Sequence, residues 1–397
     1  MQHPAAYQHA IALLHKVSTP AGFMAAPAEE DNYKRVWARD ATICGLAAIV
    51  AHDEKLIATF KASLQTLWAK QHDAGFLPSN VEATSGSVSY GGTVGRADTA
   101  SWCIAGLCIY AKFTNDLSFA QSLEAQVAKA FSVMDAWEFN GKHLIYVPQS
   151  GDWADEYLQH GYVLFDQLLR LWALELASVT FSNAAYAQKA LHIRAAIKAN
   201  YFYREDEQHW YAANMIQQKQ FAPRHYWWLG FNPAQIYPQF DLQANTLALL
   251  MEIGDEVQSS AVLAHAQHLY TTHQRMLPSF WPPVTDADWQ MNELKNNYAF
   301  RFRNTPGQFH NGGLWPVWNG LFLAALKKYG DNSFANNIAA SIEFAVAQND
   351  FEFNECFDAA TGAACGVKHC AWSAAGVLLA EGGSIFFSSP QNQPYKA

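Results

Sequence analysis

The segment Ala100-Ser101-Trp102-Cys103-Ile104-Ala105-Gly106-Leu107-Cys108-Ile109-Tyr110-Ala111 is apolar on nearly every side of the helix that its spacing predicts. The next predicted helix, over Leu117–Val133, is one-sided. Its polar face carries Gln121, Glu124 and Lys129. A helix that is apolar all round is typically buried, whereas a one-sided helix covers a core with a single face. The alternation therefore predicts an inner layer and an outer layer of helices.

Helical spacing recurs along the chain, and the links between helices alternate between short and long. Long loops in a compact domain usually carry function, and most Gly, Trp, His and Asp clusters fall on them. Six helical hairpins with every long loop at one end describe an all-α (α/α)6 toroid, with one catalytic domain over residues 1–397. The twelve predicted helices are Pro4–Lys16, Asp40–Ala51, Glu54–Lys70, Asp98–Phe113, Leu117–Trp137, Gly161–Val179, Asn183–Asn200, Asp241–Ile253, Glu256–His273, Gly312–Tyr329, Ser333–Gln348 and Cys370–Ala380. The long loops are Gln71–Ala97, Asn140–His160, Tyr201–Phe240, Gln274–Asn311 and Asn349–His369.

Composition limits the classes of partner. Half of the 397 residues are hydrophobic and 15% are charged, which provides material for a large core. The net charge is −9 and no basic run stands out, so neither nucleic acid nor an anionic membrane is an expected partner. The first residues lack a charged segment followed by an apolar one, and no run of about 18 uncharged apolar residues occurs. We expect a cytoplasmic protein without a signal peptide or membrane span, and we leave homo-oligomerisation open.

Cysteine usage and motif content argue against a cofactor. The six cysteines are sparse in a long chain, which favours reduced, mostly buried thiols over disulfide bonds. No Cys-x-x-Cys pair, His-Glu-x-x-His helix or glycine-rich phosphate loop appears in the sequence. We therefore expect no metal and no other cofactor.

The stretch from His310 to Pro316, which reads His-Asn-Gly-Gly-Leu-Trp-Pro, contains the side chains that hold a sugar. His310 and Asn311 can bond hydroxyl groups, and Trp315 can stack on the apolar face of a ring. Glu355 follows on the last long loop, where Phe351, Phe353 and Phe357 surround it in sequence and argue against a solvated surface position.

Asp98 is the second candidate carboxylate, at the end of a glycine-rich loop and the start of a helix. It fits a helix N-cap. The alternative is a general acid on the inner rim, a role that needs a protonated carboxyl and hence burial or a nearby carboxylate. Arg96 would oppose that shift if it pointed at Asp98. Two carboxylates in an aromatic pocket are the minimum requirement for cleaving a glycosidic bond, so Asp98 and Glu355 form the candidate catalytic pair.

Other polar clusters could hold the substrate. Arg39 and Asp40, which follow Trp37, either pair with each other at a helix start or clamp vicinal hydroxyls of one sugar. Ser150–Glu156 is either a subsite wall or a polar turn, and Tyr226–Phe231 either lines the mouth or packs in the core. The predicted substrate-binding residues are Trp37, Arg39, Asp40, Arg96, Asp152, Trp153, Asp155, Asp241, Gln308, His310, Asn311 and Trp315.

Taken in order, these segments resemble the alkaline/neutral invertases, glycoside hydrolase family 100. The resemblance runs from Thr19-Pro20-Ala21-Gly22-Phe23 to Ala371–Gly376, and its most specific part is His310–Pro316. Four further family segments are matched by Arg39-Asp40; by Gly95, Arg96, Asp98 and Trp102; by Asn232-Pro233-Ala234 through Asp241; and by Asn304-Thr305. The family's Glu-Tyr-Tyr-Asp turn corresponds to Glu355-Cys356-Phe357-Asp358.

This resemblance implies an (α/α)6 fold, an inverting mechanism and an α-glucosyl substrate such as sucrose, with Asp98 as acid and Glu355 as base. One segment departs from the family. Its Ile-Asp-Arg-Arg-Met corresponds here to Trp153–Tyr157, so two cations become acids near the expected leaving group. The chain is also shorter than typical members. A different α-glucosidase, acting on a glucosylated small molecule or an oligosaccharide, is therefore the alternative.

Two other functions fit a helical toroid. A sugar epimerase would rely on paired histidines, and His310 and His369 are the loop histidines near the motifs. A sugar-binding protein that has lost catalysis would have no need to retain both Asp98 and Glu355.

Overall fold

The computed structural model describes residues 4–28, 32–203, 211, 224–297 and 301–387. This part of the chain is mainly helical. The described helices are α1 Ala5–Val17, α2 Ala38–Val50, α3 Glu54–Trp68, α4 Thr99–Thr114, α5 Leu117–Ser122, α6 Glu124–Ala136, α7 Leu164–Thr180, α8 Ala184–Asn200, α9 Leu242–Leu250, α10 Glu256–His273, α11 Gln290–Asn296, α12 Pro316–Tyr329, α13 Asn332–Val346 and α14 Ala371–Gly382, and a 3₁₀ turn follows over Gly383–Phe387.

Six helices form the inner layer and contact one another in a closed cycle. The order is α2, α4, α7, α9, α12 and α14, and α14 contacts α2 to complete it. Every residue of α4 from Thr99 to Ala111 is buried, as the apolar spacing of that segment predicts. The closed cycle of buried helices is the arrangement that an (α/α)6 toroid requires.

The one-sided helices lie outside this cycle. Helix α1 packs on α14, α3 on α2, α8 on α7 and α13 on α12, while α5 and α6 pack on α4. Short links lead from inner helices to the outer helices that follow them, so the long loops lie before the amino ends of the inner helices. The functional side chains are therefore carried towards one end of the cycle.

Two helical details differ from the prediction. The single helix expected over Leu117–Trp137 is two helices, because the chain leaves helical geometry at Leu123. The Ser122 hydroxyl there donates to the carbonyl of Phe119, a local bond that competes with helix continuation. Helix α11 lies inside the loop Gln274–Asn311, where none was expected.

The described residues also contain short strands, so an all-α description is too simple. They form four small antiparallel sheets with the orders β1-β2, β3-β4-β5, β6-β7-β8-β9 and β10-β11. Strand pairing satisfies the backbone groups of the loops, which could not otherwise be buried. Strands of two to six residues are too short to give a readable alternation. The strands are β1 Ser18–Thr19, β2 Gly22–Phe23, β3 Arg35–Trp37, β4 Asn80–Glu82, β5 Val88–Ser89, β6 Tyr162–Val163, β7 Trp228–Phe231, β8 Ile236–Asp241, β9 Phe280–Trp281, β10 Cys356–Phe357 and β11 Ala364–Cys365.

The loop predicted over Tyr201–Phe240 is described only in part, since 204–210 and 212–223 lie outside the described residues. Its segment Tyr226–Phe231 is buried and includes strand β7, so it belongs to the core and not to the mouth of a pocket. Among the helices that the structure describes, none has the length and apolar character needed to cross a membrane.

Candidate active site

A cavity of about 430 Å³ opens at the end of the helix cycle where the long loops gather. Its wall combines four carboxylates with aromatic rings and arginines, the chemistry expected for holding a sugar and acting on it. The lining residues are Ala25, Asn32, Tyr33, Trp37, Arg39, Asp40, Arg96, Trp153, Asp155, Glu156, Arg303, Phe309, His310, Trp315, Glu355 and Trp372.

Glu355 is one of these lining carboxylates and is held by uncharged donors. The Tyr33 hydroxyl donates to Oε1 at 2.6 Å, and the backbone N–H of Val367 donates to Oε2 at 3.3 Å. The backbone of Glu355 is fixed as well, because its N–H donates to the Val367 carbonyl at 2.8 Å. Burial raises the pKa of Glu355 to about 7, against the smaller lowering effect of the Tyr33 hydrogen bond. A base with this pKa is well matched to neutral pH.

Asp98 does not line the cavity, which differs from the prediction that it faces the sugar. It is buried, with 2% of its surface exposed, and its Oδ2 accepts a hydrogen bond from Arg39 Nη1 at 2.7 Å. It stands at the N-cap position of α4, but its side chain caps no backbone N–H. Neither sequence interpretation of Asp98 describes this arrangement, in which its carboxylate is bound to an arginine from α2.

Asp155 lines the cavity and is paired with Arg96. The two groups meet at 2.5 Å, and the Asp155 side chain remains 39% exposed. Arg96 also donates to the carbonyl of Ser150 at 2.6 Å, which fixes its guanidinium in place. Arg96 therefore points at Asp155 and not at Asp98. The polar segment Ser150–Glu156 is thus part of a cavity wall and not merely a turn.

The first turn of α2 supplies Arg39 and Asp40, both of which line the cavity. The ion pair of Arg39 is with Asp98 and not with its neighbour Asp40. Arg39 lies over the Trp372 ring, with 5.4 Å between its guanidinium carbon and the ring centroid. Burial raises the pKa of Asp40 to about 6, against the opposing charge of Arg39. The predicted hydroxyl clamp is thus placed where a sugar could reach it.

Stacked and edge-on rings form the apolar part of the wall. The His310 ring stacks on Trp315 with centroids 5.4 Å apart and planes at 9°. Trp153 meets Trp315 edge-on at 5.2 Å and Trp372 at 6.1 Å. Burial holds the pKa of His310 well below its ordinary value, so this imidazole is neutral. The predicted residues Trp153, His310 and Trp315 are brought together at the cavity.

Two predicted binding residues, Asp152 and Asp241, are buried away from the lining. The Asp152 carboxylate accepts hydrogen bonds from the Gln159 amide at 2.6 Å and from the Trp153 backbone. Burial raises the pKa of Asp152 to about 7. Asp241 is the N-cap of α9 and accepts from the Ala244 N–H at 2.8 Å. Both groups shape the loops around the site.

Gln308 and Asn311 also differ from their predicted role, since they hold loop segments together. The Gln308 amide donates to Asp358 Oδ2 at 2.8 Å. Asn311 is fully buried, where it accepts from the Val284 N–H at 2.7 Å and donates to the Val284 carbonyl at 2.8 Å. The glycine turn that follows His310 is thereby fixed to the neighbouring loop.

Sequence reasoning missed several lining residues. Tyr33 lies outside every sequence motif that pointed to the site. Arg303 and Glu156 form an ion pair across the cavity wall, and the Arg303 guanidinium carbon lies 4.3 Å from the centroid of the Phe309 ring. Trp372 stands in the final segment of the resemblance, which was the available signal for it. The predicted residue Trp37 lines the cavity, and its indole N–H donates to the Asn32 carbonyl at 3.0 Å.

Comparisons with known proteins relate the chain to the invertases. The family model described as alkaline and neutral invertase matches residues 224–382. The chain is 23% identical to the mitochondrial alkaline/neutral invertase C of Arabidopsis thaliana over 93% of its own length. It spans 65% of the length of that relative.

The chain is similar to the alkaline and neutral invertases, and the family model matches it over residues 224–382.

Solved glycosidase structures share the fold of this invertase relative. The mannosylglycerate hydrolase of Thermus thermophilus, a family 63 enzyme solved with Tris and D-glycerate, superposes with a TM-score of 0.67 at 12% identity. The match covers 94% of this chain and 99% of that one. A rhamnosidase from Klebsiella oxytoca, solved with rhamnose bound, gives a TM-score of 0.63 at 15% identity, covering 94% and 62% of the two chains. The partial family match and the shared fold thus make the chain similar to known glycoside hydrolases.

Proposed function

We propose that this protein hydrolyses an α-glucosidic bond with inversion of configuration, with sucrose as the first candidate substrate. The observation that carries the proposal is the position of Glu355. It is a buried carboxylate on an aromatic cavity wall, held by the Tyr33 hydroxyl and the Val367 N–H, with its pKa raised to about 7. It acts as the base that takes a proton from the attacking water.

The acid is Asp155 in this proposal, in place of Asp98. A general acid must reach the glycosidic oxygen, and Asp155 lines the cavity whereas Asp98 lies behind Arg39. Asp98 acts instead as a positioning residue, since its charge holds the Arg39 guanidinium over Trp372.

The remaining lining residues hold the glucosyl ring. Arg39 donates to hydroxyl groups and Asp40 accepts from them, and both stand on the rigid first turn of α2. Trp315 and Trp372 present ring faces or edges to the apolar side of the sugar. His310 is neutral, so it contributes a hydrogen bond without a charge.

Leaving-group dependence separates the two candidate acids. Asp155→Asn should lower kcat on a poor leaving group by about 10²–10⁴-fold and should leave α-glucosyl fluoride, which needs no protonation, much less affected. Asp98→Asn should slow both substrates alike, because it disturbs binding geometry. Equal loss of both activities in Asp155→Asn, with selective loss in Asp98→Asn, would return the acid role to Asp98.

The product anomer and the base are tested together. NMR of the first-formed glucose should show the β-anomer, and a retained α-anomer would reject inversion. Glu355→Gln should nearly abolish turnover. In Glu355→Ala, azide should enter the space of the missing carboxyl and give β-glucosyl azide, while near-normal hydrolysis would remove Glu355 from its role.

A glucosylated small molecule is the second candidate substrate, and one observation favours it. The Glu156–Arg303 ion pair lies on the cavity wall, and Glu156 belongs to the segment where the family has two cations. Initial rates on sucrose, trehalose, maltose, isomaltose and glucosylglycerol would rank the leaving groups. An isomer formed without water uptake would indicate an epimerase, and binding without turnover would indicate a sugar-binding protein.

We also propose that the chain forms a complete (α/α)6 toroid, that residues 1–397 make up a single catalytic domain, and that the protein is cytoplasmic. The relative from Arabidopsis thaliana is described as mitochondrial, so location is a separate question from activity. Within the described residues, no group of three or more His, Cys, Asp or Glu side chains could hold a metal ion. The proposed reaction uses protein carboxyl groups and water.

A further inference from the structure

The hairpin of β10 and β11 sets two cysteines directly opposite each other. Cys356 pairs with Cys365 in the antiparallel register, and their sulfur atoms are 3.1 Å apart as free thiols. Directly paired residues of antiparallel strands have Cα atoms about 4.5–5.5 Å apart. Disulfides span Cα separations of about 4.4–6.8 Å. The backbone of this hairpin is therefore already suited to a disulfide bond.

The pair combines a protected sulfur with an accessible one. Cys356 is fully buried, whereas Cys365 is partly exposed. The other four cysteines, at positions 44, 103, 108 and 370, are all buried. An oxidant in solution can therefore reach Cys365 first, and Cys356 is in contact to complete the reaction. Cys356 also stands where the family turn has tyrosine, so the pair is a feature of this chain.

We propose that Cys356 and Cys365 form a reversible intrachain disulfide, a modification site beside the catalytic base. The oxidant is a low-molecular-weight disulfide of the glutathione type. Cys365 loses its proton to water and attacks one sulfur of that disulfide, which breaks its S–S bond and releases one thiol. The Cys356 thiol then loses its proton and attacks the Cys365 sulfur, releasing the second thiol. Two protein thiols are oxidised and one small disulfide is reduced to two thiols.

The consequence for catalysis follows from the residues next to each cysteine, and this step rests on the proposed role of Glu355. A Cβ placed on Gly366 would lie 2.6 Å from Oε2 of Glu355, so the Gly366 backbone already packs against the carboxylate. The sulfurs must approach by about 1 Å to bond. Because Cys365 adjoins Gly366 and Cys356 adjoins Glu355, the new bond constrains the two residues on either side of this contact, and a small backbone adjustment on bonding would displace the carboxylate. A misplacement of about 1 Å can lower a rate by two orders of magnitude.

Mass spectrometry tests the bond without reference to activity. The folded protein is incubated with oxidised glutathione, its remaining thiols are alkylated, and it is digested with trypsin. Both cysteines fall in the peptide Tyr329–Lys368, while Cys370 falls in the next one. We expect Tyr329–Lys368 to appear without alkyl groups and lighter by two hydrogens, and to return to the alkylated form after dithiothreitol. A stable glutathione adduct on Cys365, a Cys356–Cys370 link, or no reaction unless the protein is denatured would overturn the proposal.

Kinetics test the consequence. Oxidation should lower kcat by about tenfold or more, with recovery on reduction. Cys365→Ala should keep the activity of the reduced wild type and become insensitive to glutathione disulfide, whereas the matched variant Cys108→Ala, altered within α4, should remain sensitive. Unchanged kcat in protein shown to carry the disulfide would overturn the link to Glu355. If the reduced protein hydrolysed no glycoside, the proposed function would be wrong. The peptide mass would still show whether the disulfide forms.

Discussion

Asp98 and Glu355 are both buried carboxylates at the loop end of the helix cycle, yet their partners differ in kind. Asp98 accepts from the cation Arg39 and is shut off from the cavity. Glu355 accepts from the neutral Tyr33 hydroxyl and Val367 N–H and lines the cavity. A cationic partner stabilises an ionised carboxylate in place, whereas neutral donors leave burial to raise its pKa, here to about 7. Of these two carboxylates, Glu355 is therefore the one placed to exchange a proton with a bound substrate or water.

The largest expected effect on stability is that of Asp98→Asn. Removal of the carboxylate leaves Arg39 without its ion-pair partner in a largely buried position, which should cost about 3–5 kcal/mol in the free energy of unfolding. Urea denaturation would measure it. The exposed pair of Asp286 and Lys295 offers a control, since Asp286→Asn should change stability by less than about 1 kcal/mol. Adding Arg39→Met to Asp98→Asn should recover part of the loss.

Glu355→Gln should raise the free energy of unfolding, whereas Asp98→Asn should lower it. The folded protein holds the Glu355 proton up to a pH of about 7, above the ordinary value of 4.5, so stability falls as the pH rises through that window. A neutral glutamine avoids this loss and can still accept from Tyr33. We expect the variant to be about 3 kcal/mol more stable than the wild type at pH 8, with the difference vanishing below pH 4.5. Equal stability of the variant and the wild type at pH 8 would show that ionisation of Glu355 does not destabilise the folded protein.

Tyr33→Phe should shift the pH dependence of the reaction. The Tyr33 hydroxyl lowers the pKa of Glu355 by donating to its ionised form, so its removal should raise that pKa further. The acidic limb of kcat/KM should then move to higher pH by up to about one unit. Tyr90→Phe is the matched control, because the Tyr90 hydroxyl bonds to the Lys70 carbonyl away from Glu355. An unmoved limb would mean that Glu355 does not control the profile.

Asp155→Asn should have the smallest effect on stability, although its effect on turnover is large. Asp155 is paired with Arg96 but is 39% exposed, and ion pairs of that exposure contribute less than about 1 kcal/mol. Thermal unfolding should show a nearly unchanged Tm. A loss as large as that of Asp98→Asn would mean that the two arginine–aspartate pairs play the same structural role.

Much of the fold could be predicted from the sequence because buried helices and one-sided helices differ in the spacing of their apolar residues. The uninterrupted apolar segment of α4 and the one-sided segment after it gave the inner and outer positions. The break at Leu123 and the short strands were missed, since both depend on a few local hydrogen bonds that leave no period in the sequence. Trp153, His310, Trp315 and Glu355, all selected from the sequence, line one cavity, and their roles there stay predictions.

The partners within the site could not be predicted in the same way. Arg39 is adjacent to Asp40 in sequence but pairs with Asp98, and Arg96 is two residues from Asp98 but pairs with Asp155. Such choices depend on the direction in which each side chain leaves its helix or loop. The acid role proposed for Asp155 was also not apparent from the residue correspondence with the family. A shift of one residue sets the family aspartate of Ile-Asp-Arg-Arg-Met on Asp155, and the local sequence offers no reason to choose between the two registers.

The separation between helix cycle and loops has a consequence for how such proteins can diversify. Arg39, Asp40 and Trp372 stand on the first turns of α2 and α14, so their positions are tied to the packed cycle. Asp155, Glu156 and Arg303 stand on connecting segments outside any described helix or strand. Under the proposed function, insertions, deletions or exchanges in these segments would alter which aglycone is accepted and leave Arg39, Asp40 and Trp372 in place. Substrate range could then change without the loss of folding free energy that a rebuilt core would impose.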